Sequence, residues 1–283
     1  MIKEWIEDYK PLNKDEATQA LREIMQEVAL AGLQRGGFFE RAAFYGGTAL
    51  RIFYKTGRYS EDLDFSLLKP DVGFLLDNYL PFIRREFEAL GMQVSIKEKE
   101  KTKKSNIDSA FLKSDTIWKE LSLDGIIPQN NIHQQATVKI KIEVDRVPPQ
   151  GFETEEKLLL RPFSFYVKCF VPEDLFAGKM HALLFRKWKN NVKGRDWYDM
   201  EWYIRKGIHL HLDHFLSRAI DSGDWKNKTM SKKEFRDLLS TKIDLVDFKR
   251  VREDIVRFVR DQRSVDQWSP KYFHDLVKQI IVG

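Results

Sequence analysis

The stretch Phe44-Tyr45-Gly46-Gly47-Thr48-Ala49-Leu50, followed after a spacer by Arg58-Tyr59-Ser60-Glu61-Asp62-Leu63-Asp64-Phe65, decides how this chain is read. Gly46 and Gly47 permit backbone conformations barred to other residues and let a ligand come close. They stand before a short helix expected over residues 48–55, so free N–H groups and the positive helix end would face a phosphate. Thr48 adds a hydroxyl donor at the same spot. Asp62 and Asp64 lie two apart along an apolar strand expected over 63–68, which projects both carboxylates from one face. Two parallel carboxylates are costly unless a cation neutralises them, and hard oxygen donors suit Mg²⁺. A Gly-Gly pair alone is an ordinary turn, and a bare Asp-x-Asp an ordinary solvated strand end. Their conjunction at this spacing is the composition of a nucleotidyl-transfer site.

Outward from this segment the chain reads as mixed α/β. An amphipathic helix is expected over 14–34, where Ala17, Leu21, Ile24, Met25, Val28 and Ala29 recur at three- and four-residue steps. A helix is expected over 74–90, ended by Gly91, and strands over 92–96, 116–122 and 137–145. Pro148-Pro149-Gln150-Gly151 marks a turn, with short strands expected over 158–160 and 165–169. From Val171 onward the pattern is helical, with Pro172 suited to a first helical turn. The expected organisation is an α/β half over residues 1–165 and a helical half over 166–283.

Composition bounds the function classes. The 283 residues are 42% hydrophobic and 13% aromatic, enough for a sizeable core and too much for a disordered chain. The net charge of +5 permits polyphosphate or nucleic-acid partners without establishing them. Cys169, the one cysteine, has no partner for a disulfide or a thiolate metal site. Glu4, Glu7 and Asp8 are wrong for a secretory signal, and no run of about 20 apolar residues is available to span a bilayer. A cytoplasmic protein with no membrane partner is the expectation.

The string from Gly46 to Phe65 resembles the AbiEii/AbiGii toxin family, the nucleotidyltransferase toxins of type IV toxin–antitoxin systems. That family carries a Gly-Gly or Gly-Ser pair, a spacer and Asp-x-Asp, matched here at Gly46–Leu50 and Arg58–Phe65. The resemblance implies a DNA-polymerase-β-like lobe with a mixed sheet, completed by a helical C-terminal lobe across a cleft. It makes Asp62 and Asp64 metal ligands for Mg²⁺, with Mn²⁺ as an alternative, and an NTP the substrate. It sets Arg58 and Ser60 at the border of the nucleotide site. A third carboxylate usually completes the metal cage in that superfamily. Val138, Ile140, Ile142 and Val144 alternate with Lys139, Lys141, Glu143 and Asp145, and Glu143 is the preferred third ligand, Asp145 the second choice. The family also carries a helical lysine and an Arg-Asp-x-x-Asp motif. Lys179, within Ala177-Gly178-Lys179, and Asp196 and Asp199, within Arg195-Asp196-Trp197-Tyr198-Asp199, match them. Lys179 would reach the phosphates, and the two aspartates, on one helix face, would fix Lys179 or act as a base.

Three basic segments bear on the acceptor: residues 97–104, residues 186–195 with Trp188 among the cations, and the cluster Lys249, Arg250, Arg252, Arg257, Arg260 and Arg263. Basic surface with an interleaved aromatic suits a phosphate backbone, though ordinary solvated faces look the same. Because several studied relatives modify the tRNA 3′ end, tRNA is the expected acceptor and growth arrest the consequence, restrained by an antitoxin encoded nearby. A protein hydroxyl, a small molecule such as an antibiotic, or a catalytically quiet nucleotide- or RNA-binding module are the alternatives. His181 is expected to be packed or solvated, and His209, His211 and His214 to hold no metal.

Overall fold

A computed structural model describes residues 1–97, 116–123, 138–186 and 192–283, the segment 116–123 as backbone. The chain opens with helices α1 (Ile2–Asp8) and α2 (Lys14–Arg35). Asn13 caps α2 by accepting a hydrogen bond from the Glu16 N–H, and the helix is buried almost continuously from Ala20 to Leu33. Strand β1 (Ala42–Tyr45) runs directly into α3 (Gly46–Tyr54), and β2 (Asp62–Leu67) follows. Helix α4 (Leu80–Ala89) precedes β3 (Val94–Lys97), β4 (Thr116–Leu123) and β5 (Val138–Asp145). The hairpin β6 (Thr154–Leu159) and β7 (Phe165–Phe170) closes the strands, and helices α5 to α10 follow: Pro172–Phe185, Gly194–Arg205, Leu212–Asp221, Lys232–Leu245, Phe248–Ile255 and Pro270–Gln279.

The strands form one mixed sheet in the order β3-β4-β5-β2-β1-β7-β6. β2 is antiparallel to β1 and parallel to β5, and β1 is parallel to β7. Alternation along the strands separates two cores. On one face Phe44, Leu63, Phe65, Ile140 and Ile142 pack with α2 and its neighbours. There α4 crosses α2 so closely that a Cβ on Gly32 would lie 2.4 Å from the Ile83 Cα. On the other face Ala43 and Phe170, with Leu50 of α3, join the core of the C-terminal helices, which includes Phe176, Trp197, Tyr203 and Trp268. Asp62 and Asp64 alternate with Leu63 and Phe65, so they lie on this second face, toward the C-terminal helices.

The expectations for α2, β4, β5 and β7 agree with the observed elements within two residues. Helix α3 begins two residues earlier than expected, at Gly46, because Tyr45 supplies the extended residue before it. The long helix expected over 74–90 is α4 preceded by a 3₁₀ turn at Leu76–Tyr79, where Pro81 sets the start of the regular helix. β6 starts at Thr154, four residues before the expected strand, since Thr154, Glu155, Glu156 and Lys157 are polar on both faces and gave no apolar signal. The sequence pattern does not predict helix α1, which is short and has no fully buried residue. No helix among the described residues is long and apolar enough to cross a membrane.

Candidate active site

The site is built where β1 becomes α3. Gly46 has φ +85°, and a Cβ there would lie 2.3 Å from Asp64 Oδ2, so no other residue fits. A Cβ on Gly47 would lie 2.7 Å from Arg58 Nη2 and 2.8 Å from Ser60 Oγ. Both glycines therefore make room for the segment that returns from α3 to β2. No side chain caps the start of α3. Thr48 differs from the expectation of a phosphate donor: its hydroxyl is buried, lies 2.9 Å from Ser60 Oγ and donates to the Asp62 carbonyl. It braces the approach to β2 from inside.

Asp64 pairs in register with Tyr45 on one side and Glu143 on the other, and Asp62 with Lys141. Burial, then the charges of Glu143 and Asp62, push the Asp64 carboxyl up to about 7. Asp62 is raised by burial and by Glu143, in the same direction. Glu143 is thus the carboxylate that faces the pair. Asp145 stands opposite Ser66, and its Oδ1 accepts the Val147 N–H at 3.1 Å. Glu143 is ion-paired to Lys141 beside it. Among the described residues no three His, Cys or carboxylate ligands converge closely enough to hold a metal. The donor chemistry of Asp62 and Asp64 nevertheless fits a hard divalent cation, which would relieve the repulsion that raises both carboxyls.

From the C-terminal helices comes a second layer. Asp199 on α6 is fully buried and binds Arg58 through two hydrogen bonds of 2.6 Å, Nε to Oδ1 and Nη2 to Oδ2. Its Oδ2 also lies 2.9 Å from Lys179 Nζ on α5, and Asp196 Oδ1 is 3.6 Å from the same ammonium. Burial alone would raise the Asp199 carboxyl, but Arg58 and Lys179 outweigh it and hold it below the usual range. Asp199 is thus held as the carboxylate between Arg58 and Lys179, the arrangement expected of a group that fixes Lys179. Arg58 is likewise committed. It sits at the border of Gly47 as a buried strut, its Nη1 donating to the Tyr59 carbonyl at 3.0 Å.

The loop carrying Arg58 and Ser60 is stitched down along its length. Arg58 bridges to Val259, the Tyr59 N–H donates to the Phe258 carbonyl at 2.8 Å, and Gly57 lies under the Tyr198 hydroxyl. Gln26, wholly buried in α2, donates to the carbonyls of Ser60 and Glu61, both at 3.1 Å. Arg195 pairs with Glu61 at 3.3 Å and lies 4.1 Å over the Phe258 ring. Sequence reasoning missed Gln26, Tyr198 and Phe258. Gln26 carried a signal, a polar residue on the apolar stripe of α2. The other two carried none, because only the tertiary fold brings them to residues 57–60.

Other candidates resolve into structure. His181 Nε2 lies 3.0 Å from Ser222 Oγ, as a packed histidine. His211 bonds Asp174 at 2.5 Å, and Asp174 accepts the Glu153 N–H at 2.6 Å. His214 is buried against Phe152 and Phe170, and burial holds its imidazole down to about 3. Of the basic segments, residues 98–104 and Lys187, Trp188 and Lys189 lie outside the described residues. In the third cluster Arg252 donates to the Trp268 carbonyl and Arg260 pairs with Glu16, while Arg250, Arg257 and Arg263 stay at the surface in pairs with Asp247, Asp254 and Asp261. Burial, then Arg186, bring the Lys193 ammonium down to about 8.

Comparison with known protein families agrees with this geometry. Residues 28–275 match the nucleotidyl transferase AbiEii toxin family of type IV toxin–antitoxin systems. Two Helicobacter pylori structures are similar, each 16% identical. One, described as a nucleotidyltransferase, covers 91% of this chain and 92% of its own with a TM-score of 0.46. The other, JHP933, covers 92% and 94% with a TM-score of 0.41. No curated protein sequence matches. With most of its length matched, Gly46–Asp64, Lys179 and Asp199 included, the chain belongs to the AbiEii nucleotidyltransferase toxin family.

Proposed function

We propose that the protein transfers a nucleoside monophosphate from an NTP to the 3′ end of tRNA, blocking translation and arresting growth. One observation carries the reading: Asp62 and Asp64 share the sheet face beside Gly46 and Gly47, with Glu143 in register and Lys179 held at the same place by Asp199. Asp62, Asp64 and Glu143 would hold Mg²⁺, which when bound supplies charge neutralisation for the triphosphate and the attacked phosphorus. The N–H groups at the start of α3, which no side chain caps, would face the phosphates. Lys179, oriented by Asp199 and Asp196, offers its ammonium to the phosphate tail, so that negative charge developing on departing pyrophosphate meets a positioned cation. A terminal hydroxyl of the acceptor attacks the α-phosphorus in line and releases its proton to water, the bond to pyrophosphate breaking as the new phosphodiester forms. An antitoxin encoded nearby would restrain the activity.

Incubation of the protein with each labelled NTP, Mg²⁺ and total RNA, resolved on a denaturing gel, tests this. Label in the tRNA band supports it. Label in a protein band or a small molecule moves the acceptor, and no label anywhere in the presence of Mg²⁺ or Mn²⁺ removes the transferase reading.

A further inference from the structure

The cations around the site are not equivalent. Arg58 is buried and fully engaged by Asp199, and Lys179 lies against two carboxylates. Arg195 is engaged by Glu61. Arg218, on α7, is different. Its side chain makes no ion pair or hydrogen bond among the described residues, although its Nε is buried. It crosses α5 at Gly178, where an added Cβ would stand 3.9 Å from that Nε, one residue before Lys179. Tyr45, the residue preceding Gly46, stands in register with Asp64, and Phe170, the ring it packs on, lies 6.1 Å from His214, one turn before Arg218 on α7. Tyr45 is itself fixed by stacking on Phe170 at 5.3 Å.

A half-buried guanidinium with a desolvated N–H and no acceptor is an unfavourable arrangement in the protein alone. It becomes favourable when two oxygens of an anionic, tetrahedral phosphate dock against the planar fork. We propose that Arg218 binds a phosphate of the nucleotide's triphosphate tail, clamping it against Lys179 across the surface left open by Gly178. The proposal rests on the nucleotidyl-transfer reading and adds a residue outside the family motifs that the sequence displays. Arg218 supplies the geometric fork, and Lys179 a point charge already shared with Asp199 and Asp196.

The test measures binding of a triphosphate analogue with a methylene bridge between the α- and β-phosphorus, and of the matching monophosphate, to the full chain by calorimetry. The proteins compared are the parent, Arg218→Gln and Arg218→Lys, with thermal melting recorded for each. The expected result is a loss of tenfold or more in triphosphate affinity for Arg218→Gln, a smaller loss for Arg218→Lys, and monophosphate affinity within twofold of the parent. Melting temperature should hold or rise, because no partner is lost, whereas a structural role would lower it. Triphosphate affinity within twofold of the parent in both variants overturns the proposal, as does a loss confined to tRNA binding. If Arg218→Gln fails to fold, Arg218→Lys decides alone by the same twofold criterion. A parent that binds no triphosphate and transfers no label would instead remove the transferase reading, which the parent arm detects separately.

Discussion

Replacing Asp199 by Asn should damage stability and activity together, through the same atoms. Asp199 accepts two 2.6 Å bonds from Arg58 and one contact of 2.9 Å from Lys179, with no solvent access. The amide keeps the volume but presents an NH₂ to one of the donors and removes the charge that compensates a buried guanidinium. Removing one partner of a buried pair costs about 3–5 kcal/mol, because the other charge remains buried. Lys179 keeps only Asp196, at 3.6 Å, so its ammonium is no longer held. Urea denaturation by linear extrapolation reads the first effect and labelled-nucleotide transfer the second. The double variant Arg58→Met/Asp199→Leu should recover most of the stability and none of the activity. The pH dependence has a fixed sign. The folded carboxyl is held below its unfolded value, so its contribution is complete above about pH 4 and is lost as acid carries it through the folded value. An Asp199→Asn protein within about 1 kcal/mol of the parent would refute the reasoning, since stranding a guanidinium as buried as that of Arg58 must cost several times more.

Asp64→Asn should abolish transfer and growth inhibition yet stabilise the fold above pH 7. The parent's carboxyl, raised to about 7, favours folding below its unfolded value and loses that contribution as pH rises through 7; a gain of about 1–2 kcal/mol at pH 8, gone by pH 4, is expected in urea melts. Asp62→Asn should also abolish transfer while the protein still folds, checked by circular dichroism. Gly46→Ala forces a Cβ against Asp64 at a φ of +85° and should cost about 1–3 kcal/mol with activity lost, read by thermal melting and transfer. Lys179→Ala should weaken nucleotide binding and slow transfer while leaving tRNA affinity near the parent's, as separate titrations would report. Binding to tRNA should fall steeply with salt and depend on Lys187, Lys189 and Lys193, so a triple Glu variant that bound as tightly at equal salt would move the acceptor face elsewhere.

The site was legible in sequence where the chemistry is local. Gly46, Gly47, Asp62 and Asp64 lie within one β-α-β unit, so their spacing reports their geometry. β5 was legible because its strict alternation buries Val138, Ile140, Ile142 and Val144, and the register then puts Glu143 opposite Asp64. Lys179, Asp196 and Asp199 are brought to the site from the far half of the chain, and only the family resemblance singled them out. What sequence could not convey is commitment. Arg58, Thr48 and Asp199 have the right chemistry to meet a ligand, yet each spends it inside the protein, and that depends on contacts across 141 positions in the case of Arg58 and Asp199. The β6 start was hidden because this edge strand opens with four consecutive polar residues, which read as loop.

The stitching of residues 57–60 to Tyr198, Asp199, Phe258 and Val259 has a consequence for synthesis. The loop that presents Ser60 and leads into Asp62 takes its shape from parts of the chain made long after it. A ribosome that has produced the sheet, with both aspartates in register, still holds a chain whose approach loop is braced from one side alone, by Gln26 and Thr48. Competence would arrive abruptly, once the segment around Phe258 has emerged. The site is thus completed from the C-terminal half, and a chain still lacking that half would hold both aspartates without the loop that leads to them in its final place.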